Sequence, residues 1–128
     1  MDLGIQGKVA LVGASGRGLG RATAERLAQE GVRVAICDKD ESVLDKARAA
    51  VSAAGGGSEV FAYPVDLTTA DSIEHLVKNV RRDLGPISIL VTNSGGPPPG
   101  TFSDATDEKW EFAFDLDKER TVFGQHII

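Results

Sequence analysis

The sequence has little of what several classes of functional site require. Among its 128 residues there is one cysteine, Cys37, which excludes an internal disulfide framework and a thiolate zinc site. The two histidines, His75 and His126, are far apart and lack metal-ligand spacing, so we expect no metal site. No apolar run approaches the roughly 18 residues that a membrane span needs. The N-terminus has no basic segment before its apolar stretch, so we expect no signal peptide.

Basic side chains are also in the minority. The chain has 14 Lys and Arg against 19 Asp and Glu, a formal net charge of -5. Nucleic-acid binding needs a basic excess on one face, so we expect no nucleic-acid partner. The hydrophobic content of 41% is too high for a disordered acidic tail. We therefore expect a soluble, reduced, cytoplasmic protein whose length suits one domain.

Short β-branched runs alternate with amphipathic stretches along the chain, and many of the 15 glycines stand between them. The pattern predicts strands over residues 8–12, 32–37, 58–63 and 87–92. Helices follow these strands, with Asp40, Thr68 or Thr69, and Thr106 as candidate N-caps. Strands separated by helices of this length form a parallel sheet with right-handed crossovers. We therefore predict an α/β fold, a Rossmann-type doubly wound parallel sheet with helices on both faces.

The most informative segment is GASGRGLG, residues 13–20, between the first predicted strand and helix. In a doubly wound sheet a pyrophosphate binds there, on the free N–H groups and positive dipole end of the helix. Because no Gly-Lys-Ser/Thr sequence follows, an ATP-binding P-loop is not expected. The alternative interpretation is a flexible turn that happens to be rich in glycine.

A carboxylate, Asp38, follows the second predicted strand about twenty residues after the glycines. A carboxylate at this place can accept hydrogen bonds from the adenosine ribose hydroxyls, which indicates NAD. Arg17 and Lys39 could instead pair with a 2′-phosphate, which leaves NADP possible. The alternatives are a solvated Asp38 and ordinary surface charge at the two basic residues.

At this point the sequence resembles the short-chain dehydrogenase/reductase family. The family's Thr-Gly-x-x-x-Gly-x-Gly motif aligns without gaps on residues 13–20, where Gly18 and Gly20 match. Gly13 stands where Thr is usual, and Ala14 stands where the first Gly is usual. The family's Asp-Val or Asp-Leu pair after the third strand matches Asp66-Leu67. Its Asn-Asn-Ala-Gly motif after the fourth strand appears here as Thr92-Asn93-Ser94-Gly95.

The resemblance implies an NAD(P)-dependent oxidoreductase acting on carbonyl or alcohol substrates, with the sheet order 3-2-1-4 and about four strands present. Its partners would be the dinucleotide and a small-molecule substrate. It places the turn at the cofactor phosphates, the residues after the third strand at adenine, and those after the fourth along the ribose. The cofactor-binding set is Gly13, Ser15, Arg17, Gly18, Leu19, Asp38, Lys39, Asp66, Leu67, Asn93, Ser94 and Gly95.

The resemblance that can be read from the residues covers roughly positions 5–116. Asp117 stands where the family's catalytic Asn falls, and the only tyrosine, Tyr63, is followed four residues later by Leu67 rather than Lys. We therefore assign no catalytic residue. We expect residues 1–117 to be the cofactor-binding half of a truncated chain that is inactive alone, and residues 118–128 an unmatched tail. A non-catalytic dinucleotide-binding or interaction module is the alternative.

Two expectations concern residues outside the predicted cofactor set. Nothing after the fourth predicted strand looks able to cover its outer edge, which would expose unpaired N–H and C=O groups. We therefore expect a homo-oligomer. Cys37 should be a small buried side chain, and His75 should be solvated on the polar side of the third helix.

Overall fold

The structure, a computed structural model, describes residues 3–16, 18–66 and 69–91. Strands and helices alternate throughout these residues, as the sequence predicts. The elements are β1 (Val9–Val12), α1 (Gly18–Gln29), β2 (Arg33–Asp38), α2 (Glu41–Ala54), β3 (Phe61–Pro64), α3 (Ala70–Leu84) and β4 (Ile89–Val91). The predicted fourth helix, the proline-rich loop before it and the predicted tail lie outside the described residues.

The strands of the described part form one parallel four-stranded sheet in the order β3-β2-β1-β4. β1 pairs with β2 from Val9 opposite Arg33, and with β4 from Ala10 opposite Ile89. β2 pairs with β3 from Ala35 opposite Phe61. Both the predicted fold class and the predicted strand order are therefore confirmed.

The two central strands are buried on both faces. From β1, Ala10 and Val12 pack into the cluster formed with α1 and α2, whereas Val9 and Leu11 pack against α3. Side chains of a strand alternate between the faces of a sheet, so both layers take residues from every central strand. This arrangement explains the near-continuous apolar runs from which the strands were predicted.

The helix caps follow the sequence signals closely. The Asp40 carboxylate accepts from the backbone N–H groups of Ser42 (3.0 Å) and Val43 (3.4 Å) at the start of α2. Of the two candidate threonines, Thr69 caps α3. The apolar face predicted for α3 is buried in full, and consists of Ile73, Leu76, Val77, Val80 and Leu84. No helix in the described ranges is long and apolar enough to cross a membrane.

Three strands are shorter than predicted: β1 begins at Val9 rather than at residue 8, and the differences at β3 and β4 are larger. β3 begins at Phe61 rather than Ser58, because its pairing with β2 begins at Phe61. Ser58 lies outside this pairing, and its carbonyl accepts from the Ser52 hydroxyl of α2 (2.6 Å). β4 covers only Ile89–Val91, the residues that pair with β1.

Candidate functional site

The glycine-rich turn lies over the carboxyl ends of three strands. It follows β1 directly, its Gly13 N–H donates to the Val91 carbonyl of β4 (3.1 Å), and its Ser15 N–H donates to the Cys37 carbonyl of β2 (2.9 Å). In open α/β sheets, ligands bind outside the carboxyl ends of the strands, at the point where the strand order reverses. Here that point lies between β1 and β4, because the chain runs outwards from β1 through β2 to β3 and then returns to place β4 on the other side of β1.

Ala14 has an unusual backbone conformation for its residue type. Its φ of +45° is the only positive value at a non-glycine residue in the part of the chain that the structure describes. A left-handed conformation costs an L-residue about 1–2 kcal/mol, because Cβ approaches the carbonyl oxygen. The turn therefore keeps the backbone shape that glycine usually provides at this motif position, although alanine occupies it.

Ser15 is fully buried beneath the turn. Its hydroxyl oxygen accepts from the Cys37 N–H (2.9 Å) and lies 2.9 Å from the Val12 carbonyl, to which the hydroxyl can donate. The side chain thus joins the ends of β1 and β2. The resemblance places Ser15, with the rest of the turn, at the cofactor phosphates. In the structure both its hydroxyl and its amide N–H form hydrogen bonds with the strand backbone.

Gly16 makes a close contact with Asp38 that the sequence analysis missed. The Gly16 N–H donates to Asp38 Oδ2 (3.0 Å), and the Asp40 N–H donates to Asp38 Oδ1 (3.2 Å). A Cβ built on Gly16 would lie 2.5 Å from Asp38 Oδ2 and 2.8 Å from Val43 Cγ1. A Cβ at this position would displace the Asp38 carboxylate and the Val43 side chain, whereas glycine leaves both in place. Gly16 occupies a position that the family motif leaves open to any residue. A glycine at such a position was the available sign that another group lies close to it.

The first residues of α1 are open to solvent. Gly18 begins the helix with a φ of +63°, and in the part of the chain that the structure describes nothing lies within 4 Å of the position that its Cβ would occupy. Leu19 is 79% exposed, which is unusual for a large apolar side chain. The first turn contains no acidic side chain, so the positive end of the helix dipole is not offset by a carboxylate of its own first turn.

The remaining predicted site residues divide into two groups. Lys39 and Asp66 are both exposed. The Val65 N–H donates to the Asp38 carbonyl (3.0 Å), and this bond brings the residues after β3 close to the end of β2. The structure thus brings the glycine-rich turn and Asp38 together at one edge of the sheet. The predicted residues that lie outside the described ranges are Arg17, Leu67, Asn93, Ser94 and Gly95.

Cys37 and Tyr63 are both engaged within the fold. Cys37 is fully buried, as predicted. Burial raises the pKa of its thiol to about 12, the hydrogen bond to the Ala14 backbone opposes this rise, and the charge of Asp38 adds to it. The Tyr63 hydroxyl donates to Asp83 Oδ2 of α3 (2.8 Å), and burial together with this contact raises the pKa of the phenol. Within the described ranges, no group of three or more His, Cys, Asp and Glu side chains could hold a metal ion.

Comparison with known proteins identifies one family. The family model for short chain dehydrogenase matches residues 8–123, beyond the position at which the resemblance readable from the residues ends. The 2,3-dihydro-2,3-dihydroxybenzoate dehydrogenase of Bacillus subtilis is 34% identical over 113 residues, which cover 88% of this chain and 42% of that protein.

Solved structures give the same result. The structure of NAD+-bound xylitol dehydrogenase matches with a TM-score of 0.88 and 30% identity, over 96% of this chain and 47% of that one. L-Sorbose reductase from Gluconobacter frateurii, complexed with NADPH and L-sorbose, matches with a TM-score of 0.88 and 32% identity, over 99% and 48%. The chain therefore spans less than half the length of these proteins.

Proposed function

Because this chain belongs to the short chain dehydrogenase family, we propose that it forms the dinucleotide-binding half of an NAD(P)-dependent oxidoreductase acting on carbonyl or alcohol substrates. The observation that carries the proposal is the glycine-rich turn fastened over the strand ends, with the Asp38 carboxylate beside it. When bound, the nicotinamide ring of such a cofactor gives or takes the hydride.

The residues at the start of α1 suit a diphosphate. The first N–H groups of a helix have no intrahelical acceptor, and the helix dipole favours negative charge at this end. At Gly18 nothing crowds the backbone, so a phosphate oxygen could approach closely. The exposed Leu19 side chain would be covered by the ligand, which would remove apolar surface from water. Gly13 and Ser15 would then hold the turn in place from below.

Asp38 favours NAD over NADP in this proposal. Its carboxylate has lone pairs left for two ribose hydroxyls, and its charge repels a 2′-phosphate. Lys39 and Arg17 would attract that phosphate, which keeps NADP as the second candidate. We assign Asp66 and Leu67 to adenine, and Asn93, Ser94 and Gly95 to the ribose, on the family motifs alone.

Calorimetric titration with NAD+ and NADP+ tests this function. We expect the chain to bind NAD+ more tightly, and Asp38→Ala to weaken NAD+ binding by roughly tenfold or more, because hydrogen bonds to a charged group are lost. Asp45→Asn is a matched control, since Asp45 is an exposed carboxylate of α2. Tighter binding of NADP+, or an Asp38→Ala variant with unchanged NAD+ affinity, would contradict the assignment.

The second candidate function, a non-catalytic dinucleotide-binding module, applies to the 128-residue polypeptide taken by itself, which contains no Tyr-x-x-x-Lys sequence. In the division that we propose, residues 1–117 bind the cofactor and residues 118–128 add no family motif. Produced alone, the 128-residue polypeptide should bind a dinucleotide without reducing carbonyl compounds, because no group would protonate the developing alkoxide. Carbonyl-dependent NADH oxidation by the purified, mass-verified chain would contradict this.

We also propose that the chain self-associates and that it is a cytoplasmic protein. β4 is an outer strand of the sheet in the described residues, and a second copy could pair with the backbone groups along its outer edge. Light scattering over a concentration series should therefore detect dimers or larger species, whereas a monomer at high concentration would refute this.

A single buried free thiol suits a reducing compartment, so we propose the cytoplasm.

A further inference from the structure

The Asp38 carboxylate contacts two protein backbone groups on opposite sides. Oδ2 accepts from the Gly16 N–H of the glycine-rich turn, and Oδ1 accepts from the Asp40 N–H just before α2. A carboxylate has acceptors on both oxygens, whereas the asparagine amide has one oxygen and one NH2 group. An amide at this position would therefore turn its NH2 towards one of the two N–H donors.

The turn is also packed tightly against this carboxylate. The space beside Gly16 is closed by Asp38 on one side and by Val43 of α2 on the other. The next residue towards β1, Ser15, is fixed to the β1 and β2 backbone by its buried hydroxyl. The position of the Gly16 peptide is thus determined by the Asp38 carboxylate at the end of β2 and by Ser15, its neighbour in the turn, which is bonded to the ends of β1 and β2.

We propose that Asp38 is a positioning residue for the glycine-rich turn, which it holds in its ligand-binding shape through the Gly16 N–H. This role is additional to any contact between Asp38 and a ribose, and it rests on the function proposed above. Its consequence is that removal of the carboxylate weakens binding of the phosphate-bearing part of a dinucleotide, with which Asp38 itself makes no contact.

Two ligands separate the positioning role from direct ribose contact. One is NAD+, and the other is an NAD+ analogue whose adenosine ribose lacks the 2′- and 3′-hydroxyls. We expect Asp38→Asn to bind both ligands roughly tenfold more weakly than the unchanged chain, since the Gly16 N–H loses its charged acceptor whichever ligand is used. Asp45→Asn should leave both affinities unchanged. Weaker binding of NAD+ with unchanged binding of the analogue would overturn the positioning role.

The amide resonance of Gly16 gives a ligand-free measurement. In the unchanged chain this N–H should resonate downfield and exchange slowly with solvent, because it donates to a carboxylate. In Asp38→Asn it should move upfield and exchange faster, and in Asp45→Asn it should stay in place. An unmoved Gly16 resonance in Asp38→Asn would overturn the inference.

A second variant covers the case in which Asp38→Asn does not fold. Gly16→Ala perturbs the same contact from the other side, because its Cβ would lie 2.5 Å from Asp38 Oδ2. It should also weaken binding of both ligands, and equal affinities in Gly16→Ala and the unchanged chain would count against the inference. If the unchanged chain binds neither ligand, the proposed function fails, and the Gly16 resonance still decides whether Asp38 positions the turn.

Discussion

Replacing Ser15 with alanine should destabilise the fold strongly, although it removes a single oxygen atom. The Ser15 hydroxyl is fully buried, accepts from the Cys37 N–H at 2.9 Å and can donate to the Val12 carbonyl at 2.9 Å. Alanine supports neither bond. The Cys37 N–H would then be a buried donor without its acceptor, near the carboxyl end of β2.

The expected magnitude follows from the two lost contacts. A buried donor left unsatisfied costs about 1–3 kcal/mol, and loss of the second hydrogen bond costs about 0.5–1.5 kcal/mol. We therefore expect Ser15→Ala to lower the free energy of unfolding by about 2–4 kcal/mol. This is a large share of the roughly 5–15 kcal/mol of a whole domain, and it should lower Tm by about 10 °C or more.

Chemical denaturation monitored by circular dichroism measures this difference. Ser88→Ala is the matched control, because Ser88 is an exposed serine just before β4, and it should change stability by less than about 0.5 kcal/mol. If Ser15→Ala also stays within about 0.5 kcal/mol of the unchanged chain, the hydroxyl does not hold the strand ends together and the reasoning fails.

Four smaller predictions concern single side chains. Ala14→Gly should raise stability by about 0.5–1 kcal/mol, since relief of about 1–2 kcal/mol of strain exceeds the added unfolded-state entropy of about 0.4–1 kcal/mol; a loss of stability in denaturation would refute this. Asp40→Ala should cost about 0.5–2 kcal/mol by removing the α2 cap, whereas an unchanged unfolding midpoint would show that the cap contributes nothing. Cys37 should not react with a thiol reagent until denaturant is added, because it is buried and its pKa is about 12; fast labelling of the folded chain would contradict its burial. Tyr63 is the only tyrosine, so alkaline absorbance titration reads it alone, and its ionisation should begin above the usual pKa of about 10. Because its pKa is raised in the folded state, the stability that it adds is complete below that value and is lost as the pH rises further; titration at the usual value would refute the raised pKa.

The sequence predicted those features of the fold that depend on local signals. The alternation of elements follows from short β-branched runs and amphipathic stretches, and the caps at Asp40 and Thr69 follow from side chains that accept from nearby N–H groups. The location of the glycine-rich turn followed too, because a turn between a strand and a helix lies at the carboxyl edge of a parallel sheet.

Contacts between distant segments were not predictable in the same way. Whether Ser15 faces the ligand or the sheet depends on the path of β2, which lies 22 residues further along the chain. The same separation joins Gly16 to Asp38. Neither residue type specifies its partner, since serine and glycine occur both on the side of a turn that faces a ligand and on the side that faces the sheet. The start of β3 was misplaced for a related reason, because pairing with β2, rather than the apolar run itself, sets where that strand begins.

The anchored turn explains how Ala14 can keep a conformation that its side chain disfavours. The strain costs about 1–2 kcal/mol. Against it stand the hydrogen bonds that tie Gly13 to β4, Ser15 to β1 and β2, and Gly16 to Asp38. Each contributes about 0.5–1.5 kcal/mol, and more where the acceptor is charged, so that together they outweigh the strain. A turn held in this way is formed before a ligand arrives, and binding then loses little free energy to ordering the turn. Among these anchors the Asp38 carboxylate alone is a charged side chain that is partly open to solvent, and it can therefore both hold the turn and face a ligand.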